Sequence, residues 1–357
     1  MAERTGIAWT GATWTPIRAR HRVTGKVGWY CQRISEGCRH CYAATMNGWR
    51  GNGVDYTVPA LTDVELFLDE RILAAPLRWR TPRRIFVCSM TDLFGAWMPD
   101  EWIDRIFAVM VCSSQHTFQI LTKRPERMVT YFRDVVNRHE AKAAWVRQEV
   151  ARAWLPHEPA PAPEDDRFLW PPDWPMRNVW LGVSVEDQAT ADARIPLLLQ
   201  TPAAVRWVSY EPALASVDFS RWVFDRKAEV NRLINGPAML NRDQAEASVS
   251  YPLDWLVVGG ESGRDARPPH PDWFRSARDQ CQAVGVPFFF KQWGEWREHP
   301  EPPMRGYNNG AGLYVLPNGK FGCQGDYWNG TAAGMDRVGK KAAGALLDGR
   351  EWKEWPR

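Results

Sequence analysis

The chain has 357 residues, of which 45% are hydrophobic and 24% are charged. These values are ordinary for a globular protein with a sizeable core, and the length allows one large α/β domain or two smaller ones. The net charge of +3 does not require an acidic partner, so any basic surface must be local. Because the sequence contains no signal-like apolar run and no segment long enough to cross a bilayer, we expect a cytoplasmic protein without membrane attachment.

Short apolar runs recur along the chain, and each ends in polar residues. Continuous apolar runs of this length are typical of strands that are buried on both faces, as in a parallel sheet. After an early β-rich stretch at 7–14, we predict strands at 84–88, 117–121, 179–183, 205–209, 255–258 and 286–290. Segments with helical periodicity lie between these strands, at 100–111, 125–136, 187–199 and 271–284. This alternation predicts βαβ units, and their number favours an α/β fold with a complete or partial parallel βα barrel.

The barrel pattern covers residues 1–296, and we assign 297–357 to a C-terminal extension packed on the barrel. Two segments interrupt the rhythm of the barrel. Residues 156–175 are rich in proline and predict an exposed loop, and 220–250 predict a charged helical insertion. Within the extension, residues 337–347 have a helix-like pattern.

Three of the seven cysteines are clustered, as Cys31, Cys38 and Cys41, in a C-x6-C-x2-C loop that precedes a predicted helix from Tyr42. In a reducing compartment such a cluster indicates a metal rather than a disulfide. A structural zinc site takes four ligands, whereas a 4Fe–4S cluster held by three cysteines leaves one iron open. The sequence therefore favours the iron–sulfur cluster. A zinc site with His40 as the fourth ligand, and unliganded thiols, remain alternatives. The scattered cysteines are expected to be free thiols: Cys88, Cys112, Cys281 and Cys323.

Polar residues stand at the carboxyl ends of the predicted strands, where βα barrels place their chemistry. In chain order they are Ser89, Asp92, Lys123, Arg124, Ser184, Glu186, Glu211, Gly259, Gly260, Glu261 and Lys291. One such end can be explained as a helix cap, but six in succession predict a convergent ligand site. We expect the side chains of Ser89, Lys123, Glu186, Glu211 and Glu261 to lie on the rim that carries the cysteine loop.

Several of these motifs resemble those of the phage-type three-Cys-motif family, a bacterial and phage family of unknown function. The resemblance covers nearly the whole chain and rests on the cysteine loop and on residues 121–128, 182–188, 259–263, 290–294 and 340–351. That family is in turn similar to radical S-adenosylmethionine enzymes. The resemblance implies that the open iron binds S-adenosylmethionine, whose reductive cleavage gives a radical that abstracts hydrogen from a substrate. Two features depart from the commonest radical enzymes: the first cysteine spacing is six residues instead of three, and no Gly-Gly-Glu motif follows the second strand.

The resemblance also implies roles for the strand-end residues. We expect S-adenosylmethionine to be held by Ser89, Asp92, Lys123, Arg124, Ser184, Glu186, Gly259, Gly260 and Glu261. Lys123 or Arg124 would meet its carboxylate, and Asp92 or Glu186 its ammonium or hydroxyl groups. A structural ion pair between Lys123 and Glu186 is the alternative. We predict Glu186, Glu211 and Lys291 as catalytic residues.

The chain has 21 tryptophans, and interleaved arginines accompany several of them. This pattern favours a nucleic acid or nucleotide as the substrate, because indole rings stack on bases. Trp293 and Trp296, beside Lys291 and Arg297, are candidates for a base-stacking groove, with burial in the core as the alternative. We also expect a separately encoded partner protein.

Two other functions remain open at this point. One is a non-catalytic iron–sulfur or zinc protein that binds nucleic acid. The other is a barrel hydrolase that uses Glu186, Glu211 or Glu261 as acid and base.

Overall fold

The computed structural model describes residues 5–137, 175–235, 241–242, 244–245, 251–299 and 312–356. The predicted proline-rich loop at 156–175 lies outside the described residues except for its last position, and so do parts of the predicted insertion at 220–250. The described strands are β1 (Ala12–Trp14), β2 (Ile17–His21), β3 (Val27–Gly28), β4 (Val64–Leu68), β5 (Arg84–Val87), β6 (Thr117–Thr122), β7 (Val179–Val185), β8 (Val205–Tyr210), β9 (Trp255–Gly259), β10 (Phe288–Gln292), β11 (Trp296–Glu298), β12 (Gly312–Val315), β13 (Ala333–Arg337), β14 (Leu346–Leu347) and β15 (Arg350–Glu351).

The helices alternate with the longer strands, as the sequence predicts. They are α1 (Tyr42–Arg50), α2 (Glu70–Leu73), α3 (Ala75–Arg78), α4 (Asp100–Val111), α5 (Pro125–Asn137), α6 (Gln188–Leu199), α7 (Arg226–Asn235), α8 (Pro271–Val284), α9 (Gln324–Trp328) and α10 (Lys340–Ala343). Within the described part of the chain, no helix is both long and apolar enough to span a membrane.

Seven strands form a hydrogen-bonded sheet in the order β1-β5-β6-β7-β8-β9-β10. The strand pairs that flank β5 and β9 are parallel. The residues of β9 are all buried, which is why its sequence is a continuous apolar run instead of an alternating one. The fold is therefore a mixed α/β fold with a parallel sheet, as predicted. Because the order of the described strands has two ends, β1 and β10, the sheet is open, and a complete barrel is not formed.

Contacts divide the chain into two compact units. The first unit comprises Met1–Val183 with Gln200–Ala204, and the second comprises Ser184–Leu199 with Val205–Arg357. In the first unit β1, β5 and β6 are parallel neighbours, and an antiparallel sheet of order β3-β2-β4 accompanies them. The predicted boundary between barrel and extension, at residues 296 and 297, rests on the sequence pattern and not on contacts, and it stays a prediction.

In the second unit the C-terminal segment packs against β10 and α8. Phe290 N donates to Trp352 O (2.9 Å), and the indole of Trp255 donates to Glu354 O (2.9 Å). The Arg275 guanidinium of α8 pairs with both Glu298 and Asp348. The extension is therefore fixed to the sheet and its helix by main-chain and ionic contacts.

One predicted element of the extension is wrong. The helix expected at 337–347 is limited to the four residues of α10. Glycines with positive φ flank it, at Gly339 (+85°) and Gly344 (+72°), so the backbone leaves the right-handed helical region on both sides.

Candidate functional site

The three-cysteine loop leads into helix α1. Cys38 ends a 3₁₀ turn at Glu36–Cys38, and Cys41 is the residue immediately before α1. All seven cysteines, including these three, are free, and the clustered three are each partly exposed. The predicted free state of the four scattered cysteines is confirmed.

The three sulfur atoms are close enough to influence one another electrostatically. Burial raises the pKa of the Cys31 thiol strongly, the Asp92 carboxylate adds to the rise, and the Arg124 guanidinium opposes it. Charges on Cys41 and Cys38 raise the Cys31 pKa further. Burial also raises the pKa of Cys41, whereas hydrogen bonds from the backbone amides of Ala44 and Ala43 and the charge of the Lys123 ammonium lower it.

Four hydrogen bonds attach the cysteine loop and its flanks to the carboxyl ends of β5 and β6. The Tyr42 hydroxyl donates to Ser89 O (2.5 Å), and the Tyr56 hydroxyl donates to Met90 O (2.9 Å). The Thr91 hydroxyl donates to Tyr30 O (2.5 Å). The fourth bond runs from Arg124 Nη2 to Gln32 O (2.9 Å), directly beside Cys31. The structure therefore places the loop at the strand ends that carry Ser89, Asp92, Lys123 and Arg124.

Asp92 and Arg124 form the centre of this attachment. Arg124 Nη1 lies 3.0 Å from Asp92 Oδ2, and the two side chains are only 12% and 8% exposed. The Asp92 carboxylate also accepts from the Thr122 hydroxyl (2.7 Å) and from the backbone of Lys123 (3.1 Å). The Arg124 guanidinium lies over the Trp97 ring, 4.7 Å from its centroid. Both predicted ligand-binding residues thus have structural partners within the loop and the strand ends.

Sequence reasoning missed a second anchor of the loop, a buried asparagine pair. Asn47 Oδ1 accepts from Trp29 N (3.0 Å), and Asn47 Nδ2 donates to Asn52 Oδ1 (2.7 Å). A Cβ at Gly28 would lie 2.2 Å from Asn52 N, so only glycine fits there. The signal in the sequence is the run of asparagines and glycines at 47–53, where helix α1 ends.

The cysteine loop carries donors suited to a metal group. Its donors fit an iron–sulfur cluster in type, because three free, partly exposed thiols stand within eleven residues, next to the cations of Lys123 and Arg124. Among the described residues, however, no group of three or more His, Cys, Asp or Glu side chains is arranged to hold a metal ion. Binding would therefore require the three sulfurs to converge around the cluster, as is common when metal binding completes the folding of a site.

In the second unit, Glu211 and Lys291 form a partly buried ion pair. Lys291 Nζ lies 2.7 Å and 2.9 Å from the two Glu211 carboxylate oxygens, and each side chain is 17% exposed. Gln292 Nε2 donates to Gly260 O (3.0 Å) and lies 3.4 Å from Glu211 Oε1. A Cβ on Gly260 would fall 1.9 Å from Trp293 O, so Gly260 is needed for backbone packing.

The other two predicted glutamates of this unit are buried and paired with arginines. Glu186 is 0% exposed, and its Oε2 lies 3.0 Å from Arg194 Nη1, which also donates to Ser184 O (2.7 Å). Glu261 accepts from Arg267 Nη2 (2.6 Å) and from Arg267 N (2.8 Å). Each carboxylate thus has a neighbouring guanidinium as its ionic partner.

The predicted tryptophan groove is wrong. Trp293 and Trp296 are each 4% exposed, and their indoles donate to Leu346 O and Ala266 O. They belong to the core of the second unit, where a stacked base cannot reach them.

The predicted sharing of one rim is met within the first unit, where Ser89 and Lys123 lie beside the cysteine loop. Glu186, Glu211 and Glu261 belong to the second unit. Their placement on that same rim stays a prediction, and so do the functional roles of all these residues.

Comparison with known proteins gave one match. No curated protein and no solved structure matched the chain. A protein-family profile described as "Protein of unknown function (DUF5131)" matches residues 4–356. That match carries no statement about a three-cysteine motif or about radical S-adenosylmethionine enzymes. Since the profile spans almost the whole sequence, the chain belongs to the DUF5131 family of proteins of unknown function.

Proposed function

We propose that the protein is an iron–sulfur enzyme of the radical S-adenosylmethionine type, acting by hydrogen abstraction on a nucleic acid or nucleotide. The observation that carries the proposal is the attachment of a three-cysteine loop to the carboxyl ends of two parallel strands of an α/β sheet. Active sites of βα folds are built at this end of the strands. The sequence resemblance to the three-Cys-motif family supports the same proposal.

In this proposal Cys31, Cys38 and Cys41 hold a 4Fe–4S cluster, and the remaining iron is open to S-adenosylmethionine. The cluster supplies the electron for reductive cleavage of that cofactor. The protein supplies the surroundings. Arg124 holds the loop through Gln32 O, with Asp92 as its counter-ion, and Tyr42 fixes the start of α1.

The structure changes which residues we assign to the cofactor. Asp92 and Arg124 are bonded to each other, and Arg124 is bonded to the loop, so we assign both to positioning the cysteines. Lys123 and Ser89 are partly exposed at the strand ends, and we assign the cofactor carboxylate to Lys123. In the second unit we retain Glu211 and Lys291, whose side chains are partly exposed, as candidates for substrate contact or proton transfer.

Anaerobic reconstitution with iron and sulfide tests the cluster. We expect a brown protein with about four irons per chain, as a single 4Fe–4S cluster requires. Cys38→Ala should lose most of this iron, whereas Cys323→Ala, which removes an exposed cysteine outside the loop, should keep it. Stoichiometric zinc with no iron after anaerobic expression would show that the loop is a zinc site.

A second assay tests the chemistry. The loaded protein, given dithionite and S-adenosylmethionine, should form 5′-deoxyadenosine, and calorimetry should detect cofactor binding. If no binding is found at millimolar cofactor on the iron-loaded protein, the radical-enzyme proposal fails. The non-catalytic, cluster-bearing nucleic-acid-binding protein then becomes the better assignment.

The hydrolase alternative receives less support. Glu186 and Glu261 are buried and paired with arginines, so their carboxylate oxygens are occupied by structural partners. Glu211 is bonded to Lys291 through both carboxylate oxygens.

A further inference from the structure

Exposed apolar side chains are concentrated in the segment of the chain that contains the cysteine loop. Of the eleven large hydrophobic residues that are exposed among the described residues, seven lie between positions 23 and 58: Val23, Val27, Ile34, Tyr42, Met46, Trp49 and Val58. Single exposed apolar residues are normal on protein surfaces, but a cluster of them marks an interaction site. This cluster lies entirely within the first unit.

Helix α1 carries the most ordered part of the cluster. Tyr42, Met46 and Trp49 follow the spacing i, i+4, i+7 and therefore lie along one side of the helix. Their exposures are 48%, 40% and 86%. The opposite side, with Ala43 and Asn47, is buried. A helix of a globular protein usually turns its apolar stripe to the core, whereas this stripe faces outward, and of its three side chains Tyr42 also bonds to Ser89 O.

The same part of the chain is strongly basic. Residues 15–53 contain seven lysines and arginines and one acidic residue, Glu36, whereas the rest of the chain contains 38 basic and 41 acidic residues. A protein with a net charge of +3 thus carries a local excess of six positive charges next to the three cysteines. Such an excess attracts a polyanion and speeds its association.

Several of these cations have no acidic partner. Lys26, Arg33 and Arg50 are exposed, and none of them forms an ion pair in the described part of the chain. By contrast, Arg20 is paired with Glu65, and Arg18 lies over the Trp29 ring. Six of the seven cations are arginines, whose planar guanidinium binds phosphate through two hydrogen bonds and stacks on bases.

We propose that this surface binds a single-stranded nucleic acid. We call it the α1 surface and define it by Lys26, Arg33, Tyr42, Met46, Trp49 and Arg50. Bases stack on Tyr42 and Trp49, and Lys26, Arg33 and Arg50 contact phosphates. The Tyr42 ring is held in place by its bond to Ser89 O, so it offers a fixed stacking face one residue after Cys41. A strand on α1 therefore lies beside the three thiols. Only the role of this nucleic acid as the substrate rests on the proposed function.

Fluorescence anisotropy with labelled 20-nucleotide single strands of RNA and of DNA tests the proposal on the full chain, without added metal. Trp49→Ala should weaken binding about tenfold, because base stacking on an aromatic side chain is worth ~1–3 kcal/mol. Trp328→Ala removes a tryptophan that is also exposed, at 59%, and should leave binding unchanged.

The triple variant Lys26→Gln, Arg33→Gln and Arg50→Gln should weaken binding and reduce the slope of log affinity against log salt by about 2, since each phosphate contact on a single strand contributes ~0.7. The matched control is Arg297→Gln, Lys320→Gln and Lys341→Gln, which removes the same charge from exposed positions of the second unit. Circular dichroism of each variant confirms that it is folded.

Three outcomes would overturn the proposal. They are no binding to either strand at low salt, equal losses in the two triple variants, and binding to vesicles of phosphatidylserine and phosphatidylcholine in place of oligonucleotides. Because the assay needs no cluster, its result is separate from that of the proposed chemistry. If oligonucleotides bind but no iron is incorporated and no 5′-deoxyadenosine forms, the nucleic-acid site stands and the enzyme proposal fails. If iron and 5′-deoxyadenosine are found without oligonucleotide binding, the enzyme proposal stands with a substrate of another class.

Discussion

Replacing Asp92 by asparagine removes one charge at the centre of the loop attachment while keeping the shape of the side chain. In the native protein Asp92 Oδ2 accepts from Arg124 Nη1 (3.0 Å) and from Lys123 N (3.1 Å), and Oδ1 accepts from the Thr122 hydroxyl (2.7 Å). An asparagine has one acceptor oxygen in place of two, so its amide nitrogen must face either the Arg124 and Lys123 donors or the Thr122 hydroxyl. The Arg124 guanidinium, 12% exposed, then loses the charge of its partner but stays largely buried.

The expected cost is large because neither partner can be solvated without moving. Breaking a buried ion pair by removing one member typically costs ~3–5 kcal/mol, and we expect about 3 kcal/mol for Asp92→Asn because Arg124 keeps its bond to Gln32 O and its contact with Trp97. The matched control is Glu65→Gln, which breaks the Arg20 pair. Those side chains are 47% and 54% exposed, so the control should cost less than about 0.5 kcal/mol.

Urea unfolding of the metal-free protein, followed by circular dichroism, measures both changes, and a double-mutant cycle with Arg124→Gln isolates the pair. The double variant should be less destabilised than the sum of the single variants, because no buried charge is left alone. Hydrogen exchange should also rise in the peptide that contains residues 29–41. If Asp92→Asn costs no more than Glu65→Gln and exchange in the loop is unchanged, the attachment does not depend on this pair.

Two further predictions concern a glycine of the second unit and the buried histidines His116 and His270. Gly260→Ala should destabilise the protein by more than 2 kcal/mol in urea unfolding, because the added Cβ would fall 1.9 Å from the backbone oxygen of Trp293. Gly48→Ala is the control, because its added Cβ would lie in open space on α1, and it should be neutral or stabilising by up to about 1 kcal/mol. A similar loss of stability in both variants would contradict the steric argument. Stability should also fall as the pH drops below about 6.5, because burial lowers the folded-state pKa of His116 and His270 while the unfolded chain titrates near 6.5. For each histidine the loss of stability approaches ~1.4 kcal/mol per pH unit between its folded and unfolded pKa values. His270→Asn, which keeps an acceptor for the α8 N-cap, should reduce the slope of stability against pH. A stability that rises on acidification would show the sign to be wrong.

The elements of the sheet could be predicted because their sequences carry an unambiguous pattern. The predicted helices at 100–111 and 271–284 have the bounds of α4 and α8. Continuous apolar runs located the long strands to within one or two residues. The number of tryptophans, in contrast, carries no information about burial. Trp293 and Trp296 lie among charged residues in the sequence and are nevertheless in the core, where their indole nitrogens find backbone acceptors.

The ion-pair partners of the strand-end carboxylates could not be predicted from the sequence. Asp92 and Arg124 stand at the ends of two different strands, and nothing in a single sequence says that those strands are neighbours. The Glu211–Lys291 pair joins residues that are 80 positions apart, for the same reason. The rim predicted from polar strand ends thus contains residues of two kinds, which only their contacts distinguish.

Burial separates these two kinds. The side chains of Asp92, Glu186 and Glu261 are no more than 8% exposed, and each carboxylate is bonded to an arginine. These residues therefore hold the backbone around a site and have almost no surface left for a ligand. Glu211 and Lys291 are 17% exposed, and Lys123 is partly exposed, so these can contact a ligand without breaking the fold. A substitution in the first group should therefore lower stability together with any activity. Substitution of Lys123 should lower activity at little cost in stability, whereas substitution within the Glu211–Lys291 pair should also lower stability. These differences are measurable before the reaction is known in full, from unfolding and ligand binding alone.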